Sequence, residues 1–318
     1  MAIEKLSTGL TKVTSAEKLR ILKNIKTSEP IFKQLKSVKS MLSRKISSQG
    51  VSALTDDFVL KKQRLIQELS KVCDKNVLAR IEKAQTPEQL AKILAEQDAG
   101  GIVKMSKGLI SSKVLDKSGK LVKPMTLAQE QAIYQQKCAR AEFILAREKA
   151  LHVPSRNPRV IAIENILKEQ YGVKFASLKD NEVLAKQVLK AYETAAKNGV
   201  EVPKNVIVSD FMFANGENLF NGTILLNSSQ RALRQGFTST TSEFHVPLHE
   251  IMHGEQPKLI SFNMKKIPSR FQEVKQNLSG YSAKAGTHET FTELNTKRLI
   301  DGLNPQEQEL YNYLNLFG

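Results

Sequence analysis

His249-Glu250-Ile251-Met252-His253 sets two imidazoles four positions apart with a carboxylate between them. On a helix, positions i and i+4 share a face, so both rings can reach one ion, and neutral imidazole suits Zn2+ in a tetrahedral site. Glu250 then stands where a carboxylate accepts a proton from metal-bound water. The bland alternative is an ordinary helix carrying two partly exposed histidines. Against it, four of the five histidines of the chain fall between His245 and His288.

A catalytic zinc site with two histidines needs a third protein ligand and one open position. The run Gly280-Tyr281-Ser282-Ala283-Lys284-Ala285-Gly286-Thr287-His288-Glu289-Thr290-Phe291-Thr292-Glu293 supplies candidates. With Thr287 as a cap, Glu289 lies in the first turn of a helix and Glu293 one turn further along the same face. That spacing suits one metal ligand and one acceptor that orients a ligand histidine. Acids also favour helix N-termini for electrostatic reasons alone. His288 competes with Glu289, because adjacent helical residues do not both face one ion; it is expected either as a replacement or as a supporting donor. His245, just before Val246-Pro247, is expected to flank the site structurally.

The pentapeptide, Tyr281, and Glu289-Thr290-Phe291-Thr292-Glu293 together resemble the gluzincin class of zinc metallopeptidases. The likeness is strongest to the catalytic domain of anthrax lethal factor and to phage-encoded and bacterial toxin-like metallopeptidases. The resemblance covers roughly residues 158–318, and its specific part begins at His249. It implies His249, His253 and Glu289 as zinc ligands, Glu250 as general base and Tyr281 as a hydrogen-bond donor to the transition state, with Glu293 and His288 supporting them. The chain departs from many members at Met252, where they carry Gly, and at Phe291-Thr292, where they carry Phe-Ala. The resemblance also suggests that Thr223–Asn227 is a sheet-edge strand pairing with extended substrate.

The implied activity is hydrolysis of peptide bonds in a protein or peptide substrate by a zinc-dependent endopeptidase. The competing expectation is an inactive zincin-like binding or structural protein, a phage component or effector, whose basic helical region holds a partner.

The elements that must position these groups divide the chain in two. Residues 1–150 carry 29 basic and 15 acidic side chains, against 19 and 17 in residues 151–318, within a formal net charge of +16. The first part, 1–153, reads as a basic helical region. Its signals are a capping box at Thr14, a basic stretch from Ile31 to Ser47, an amphipathic stretch from Asp57 to Val72, a start at Thr86-Pro87 that stops near Gly100-Gly101, a small hairpin near 112–123, and a long helix from Thr126 to Leu151. The Pro154–Pro158 segment is the linker candidate. In 154–318, helices are expected over 158–171, 182–199, 247–255, 268–278, 288–301 and 305–316. Strands are expected at Val202–Val208 and, after the Asn221-Gly222 turn, at Thr223–Asn227. The fold class is α+β, a helical region followed by a zincin-like domain with a small mixed sheet.

Composition excludes a collagenous chain, a disulfide scaffold and wholesale disorder: 41% of residues are hydrophobic and 25% charged. Cys73 and Cys138, 65 positions apart, form no metal or redox spacing and are expected as reduced, buried thiols. No apolar run is long enough for a transmembrane helix, and the first residues lack a secretory-signal layout. The expected setting is the cytoplasm of the producing cell, or a translocated or phage-associated protein. The basic first half invites an acidic partner, but without aromatic interleaving or a nucleic-acid motif, nucleic acid is not expected.

Overall fold

The structure, a computed structural model, describes residues 51–108, 127–210, 212, 214–219, 221–230, 235–256 and 266–316. Four helices come first: α1 (Val51–Leu69), α2 (Lys75–Lys83), α3 (Pro87–Gly108) and α4 (Leu127–Ala150). There follow α5 (Pro158–Tyr171), β1 (Phe175–Ser177), α6 (Glu182–Lys197), β2 (Asn205–Ser209), β3 (Gly216–Leu219) and β4 (Thr223–Asn227). The last part holds α7 (His245–Met252), a 3-10 turn (His253–Glu255), a second 3-10 turn (Ser269–Phe271), α8 (Gln272–Leu278), α9 (Gly280–Lys284), α10 (Thr287–Ile300) and α11 (Pro305–Asn315). The expected α+β class is observed in this coarse sense. The helices expected from Thr14 and from Ile31, and the hairpin near 112–123, lie outside the described residues.

Local chemistry explains several boundaries. Asn157 caps α5 through the Arg159 amide with Pro158 in the first turn, and Gly172 closes that helix at φ 65°, a conformation that costs glycine little. Asn304 and Glu307 form a reciprocal capping box behind Pro305. By contrast, α3 runs through Gly100-Gly101 to Gly108, because two glycines weaken a helix without terminating it. The cap of α10 is Gly286, one residue before the expected Thr287.

The sheet order is β1-β2-β4-β3, parallel except for the antiparallel pairing of β3 with β4. Thr223–Asn227 is therefore a central strand, buried along its whole length, which corrects the expectation that it forms the edge. The edge beside it is β3, which carries only one buried residue, Leu219.

Alternation along the central strands feeds two cores. Val206, Val208, Ile224 and Leu226 pack with α5, α6 and α7. Ile207 and Leu225, joined by Leu219 of β3, pack with Leu65, Leu69, Ile81, Leu94 and Ile144 of α1 to α4. The border expected at 153/154 falls between α4 and α5, yet this second core runs straight across it. A third cluster, with Phe271, Phe291, Leu294, Leu310 and Leu314, joins α8, α10 and α11 beside the site. Both cysteines are free and partly exposed rather than buried. Among the described residues no helix is long and apolar enough to cross a membrane.

Candidate metal centre

Packing of α7 against α10 brings the two sequence segments together. The helix ends at Met252, so His253 is its C-terminal cap, with helical φ and ψ of −60° and −22°. That retained helical geometry keeps its ring beside His249, the centroids being 4.9 Å apart. From α10, Glu289 presents Oε2 to both rings, 3.1 Å from His249 Nε2 and 3.4 Å from His253 Nε2. Metal–ligand bonds of about 2.0–2.1 Å in a tetrahedron place neighbouring ligand atoms about 3.3 Å apart. The donor set thus fits a zinc-sized ion in chemistry and in these two spacings.

Glu250 Oε2 lies 3.9 Å from His253 Nε2, and ligand atoms of His249, Glu250 and His253 fall within 4.8 Å of one another. Burial raises the Glu250 pKa against the opposing pull of His253 and His249. The Tyr281 ring lies 5.9 Å from that of His249. Burial, together with the Glu289 and Glu250 carboxylates, pushes its pKa well up, so its hydroxyl keeps its proton. His288 Nε2 lies 3.1 Å from Glu289 Oε1. The two oxygens of Glu289 therefore divide between the imidazole pair and His288.

The far nitrogens of the histidines are also held. Thr292 Oγ1 spends its proton on the His288 carbonyl and lies 3.3 Å from His253 Nδ1. It must accept there, leaving Nε2 of His253 as the lone-pair nitrogen. His249 Nδ1 sits 2.9 Å from Glu293 Oε1, near enough for charge attraction but off line for a hydrogen bond. Glu293 is fully buried. It also pairs with His245 Nε2 at 3.1 Å and accepts from the Ser239 amide at 2.7 Å. His245 in turn meets Thr240 Oγ1 at 3.0 Å.

Burial opposes the charge on His249, but Glu289 and Glu293 outweigh it and raise its pKa to about 10. Burial likewise works against ionisation of Glu289 and Glu293, yet the surrounding histidines hold both well below the usual carboxylate range. His245 shifts the other way, lowered by burial despite Glu293.

A second group, His245, His249 and Glu293, also brings its ligand atoms within 4.8 Å. All three residues are buried, and Ser239 and Thr240 already engage Glu293 and His245. That closure makes it a support for His249 more than a place for exchangeable solvent.

Beside the His249–His253–Glu289 group opens a cavity of about 510 Å³, lined by Glu250, His253, Tyr281, His288 and Glu289 and, along one side, by Gly216 to Leu219. Residues not singled out from the sequence complete the site. Ser239 and Thr240 hold Glu293 and His245, Thr292 and Gln256 brace His253 and His288, and Asn218 Nδ2 donates to the Glu250 carbonyl at 2.6 Å. For Thr292 the signal was present, since it lies one turn beyond His288 on α10. The others lie in β3 (Asn218), just before α7 (Ser239, Thr240) and at the end of the first 3-10 turn (Gln256), and carry no local pattern. Comparison with known protein families, curated proteins and solved structures finds no match to this chain.

Proposed function

We propose that this protein is a zinc-dependent endopeptidase of the gluzincin type, with His249, His253 and Glu289 as the ligands. The observation that carries the reading is that one Glu289 oxygen lies 3.1 Å and 3.4 Å from the Nε2 atoms of His249 and His253, next to a buried carboxylate and an open cavity. Zinc held there would supply a Lewis acid and lower the pKa of water.

The rest is work for the chain itself. Glu250 takes the proton from the attacking water and passes it to the leaving amine, a double duty suited to its raised pKa. The Tyr281 hydroxyl donates to the oxygen that gains negative charge. β3 ends the sheet and lines the cavity, so an extended peptide can add to it as a further strand, held through main-chain hydrogen bonds.

Metal analysis and cleavage of a peptide library by wild type and Glu250→Gln test the reading. Zinc in both, with cleavage by wild type alone, is the expected result; equal cleavage removes Glu250 from the chemistry. Identifying new protein termini in cells expressing each form would then reveal the substrate.

A second reading, a structural ion at His245, His249 and Glu293 in an inactive zincin-like binding protein, is favoured by the closeness of those ligand atoms. It predicts that His253→Ala keeps its metal and His245→Ala loses it. The peptidase reading predicts the larger loss in His253→Ala.

A further inference from the structure

The four residues of β3 look two ways. Glu217 turns toward the N-terminal helices, where Arg140 of α4 grips its carboxylate through Nη1–Oε1 at 2.6 Å and Nη2–Oε2 at 3.3 Å. The same guanidinium bonds Asp98 of α3 at 3.0 Å, and Asp98 also takes Arg147 at 3.1 Å. Leu219, on the same face as Glu217, is buried in the core shared with α1 to α4. The alternate residues meet α7. Asn218 holds the Glu250 carbonyl, and Gly216 lies flat against the Glu250 side chain.

A Cβ at Gly216 would stand 2.5 Å from both Cγ and Oε1 of Glu250, and 2.8 Å from its Cδ. Carbon atoms in contact rest about 3.5–4.0 Å apart, so any other residue here must displace the carboxylate. Gly216 does not occupy the left-handed region; the backbone would accept alanine, and what the site uses is the missing side chain.

We propose that β3 is the element that positions the Glu250 carboxylate. Gly216 is the positioning residue, and the N-terminal helices fasten the strand from behind through Arg140 and Glu217. Residues of α3 and α4 thereby become part of the catalytic apparatus and not a separate partner-binding module. The catalytic consequence rests on the peptidase reading; the geometric claim does not.

Two of the three atoms that a new Cβ would strike belong to the carboxylate at the far end of a flexible side chain, and the third is the methylene that carries it. The fold can therefore absorb Gly216→Ala by swinging the carboxylate aside, while a displacement of about 1 Å at a reacting group costs about 100-fold in rate. The test uses the full chain. Gly216→Ala should bind zinc and melt as wild type does, yet lose about 100-fold in kcat. In a Glu250→Gln background it should cause no further loss, because the group it displaces is already disabled. Glu217→Gln, which loosens the strand without crowding the base, should give a smaller loss in kcat.

A crystal structure of Gly216→Ala should show the carboxylate moved and β3 in place. Wild-type turnover in Gly216→Ala, or equal losses in both backgrounds accompanied by loss of zinc, overturns the proposal. If wild type with zinc cleaves no peptide, the peptidase reading fails. The crystal structure of Gly216→Ala then decides alone, and a Glu250 carboxylate left unmoved by the substitution overturns the positioning claim.

Discussion

Replacing Glu293 by Gln keeps shape and volume and removes only one charge and one acceptor, so its effect can be worked from the contacts. One carboxylate oxygen accepts the Ser239 amide, and the other faces His245 Nε2 and His249 Nδ1. An amide can satisfy only one side. With its NH2 toward Ser239, two donors meet at a separation of 2.7 Å. With its NH2 toward the histidines, metal-free His249, doubly protonated in wild type, can shed its Nδ1 proton and keep the one on Nε2. Zinc needs that Nε2 lone pair, so binding forces Nδ1–H back against the NH2 group. Losing the charge attraction at Nδ1 should weaken zinc about 10- to 100-fold, the loss expected when such a supporting carboxylate is removed. Competition with a chromogenic chelator at neutral pH measures this directly. A zinc dissociation constant in Glu293→Gln within roughly twofold of wild type would refute the assignment, since it lies far below the expected factor.

Zinc affinity should also depend on pH. His249 in the metal-free protein holds its proton up to a pKa of about 10, so binding must expel that proton, and affinity should rise about tenfold per unit between roughly pH 6 and 8; a flat profile by the same competition assay would contradict it. Because that value lies above the ordinary 6.5, protonated His249 stabilises the metal-free fold fully below pH 6.5. This contribution disappears as pH rises through 10, so the melting temperature of metal-free protein should fall over that window, as calorimetry can follow. In the sheet, Ile224 is fully buried, and Ile224→Ala should cost about 2–5 kcal/mol by denaturant unfolding. Asn304→Ala removes half of the capping box of α11 and should cost about 1 kcal/mol in the same experiment.

What the sequence determined by itself was local. The i, i+4 imidazoles, the acidic first turn that carries Glu289, the Asn157 and Asn304 caps and the Asn221-Gly222 turn all arise from contacts within a few residues, and each is legible as a residue pattern. β1 and β3 left no such trace, being three and four residues long, too short for a period to register. Position within the sheet was decided by pairing: β4 became central because β2 and β3 flank it, a matter of tertiary order that its own Thr223–Asn227 pattern does not encode. The same holds for the chain Thr240–His245–Glu293–His249, for the grip of Arg140 on Glu217, 77 positions away, and for the contact of Gly216 with Glu250. These join segments far apart along the chain, and only the packing of helices on both faces of one sheet sets the distances between them.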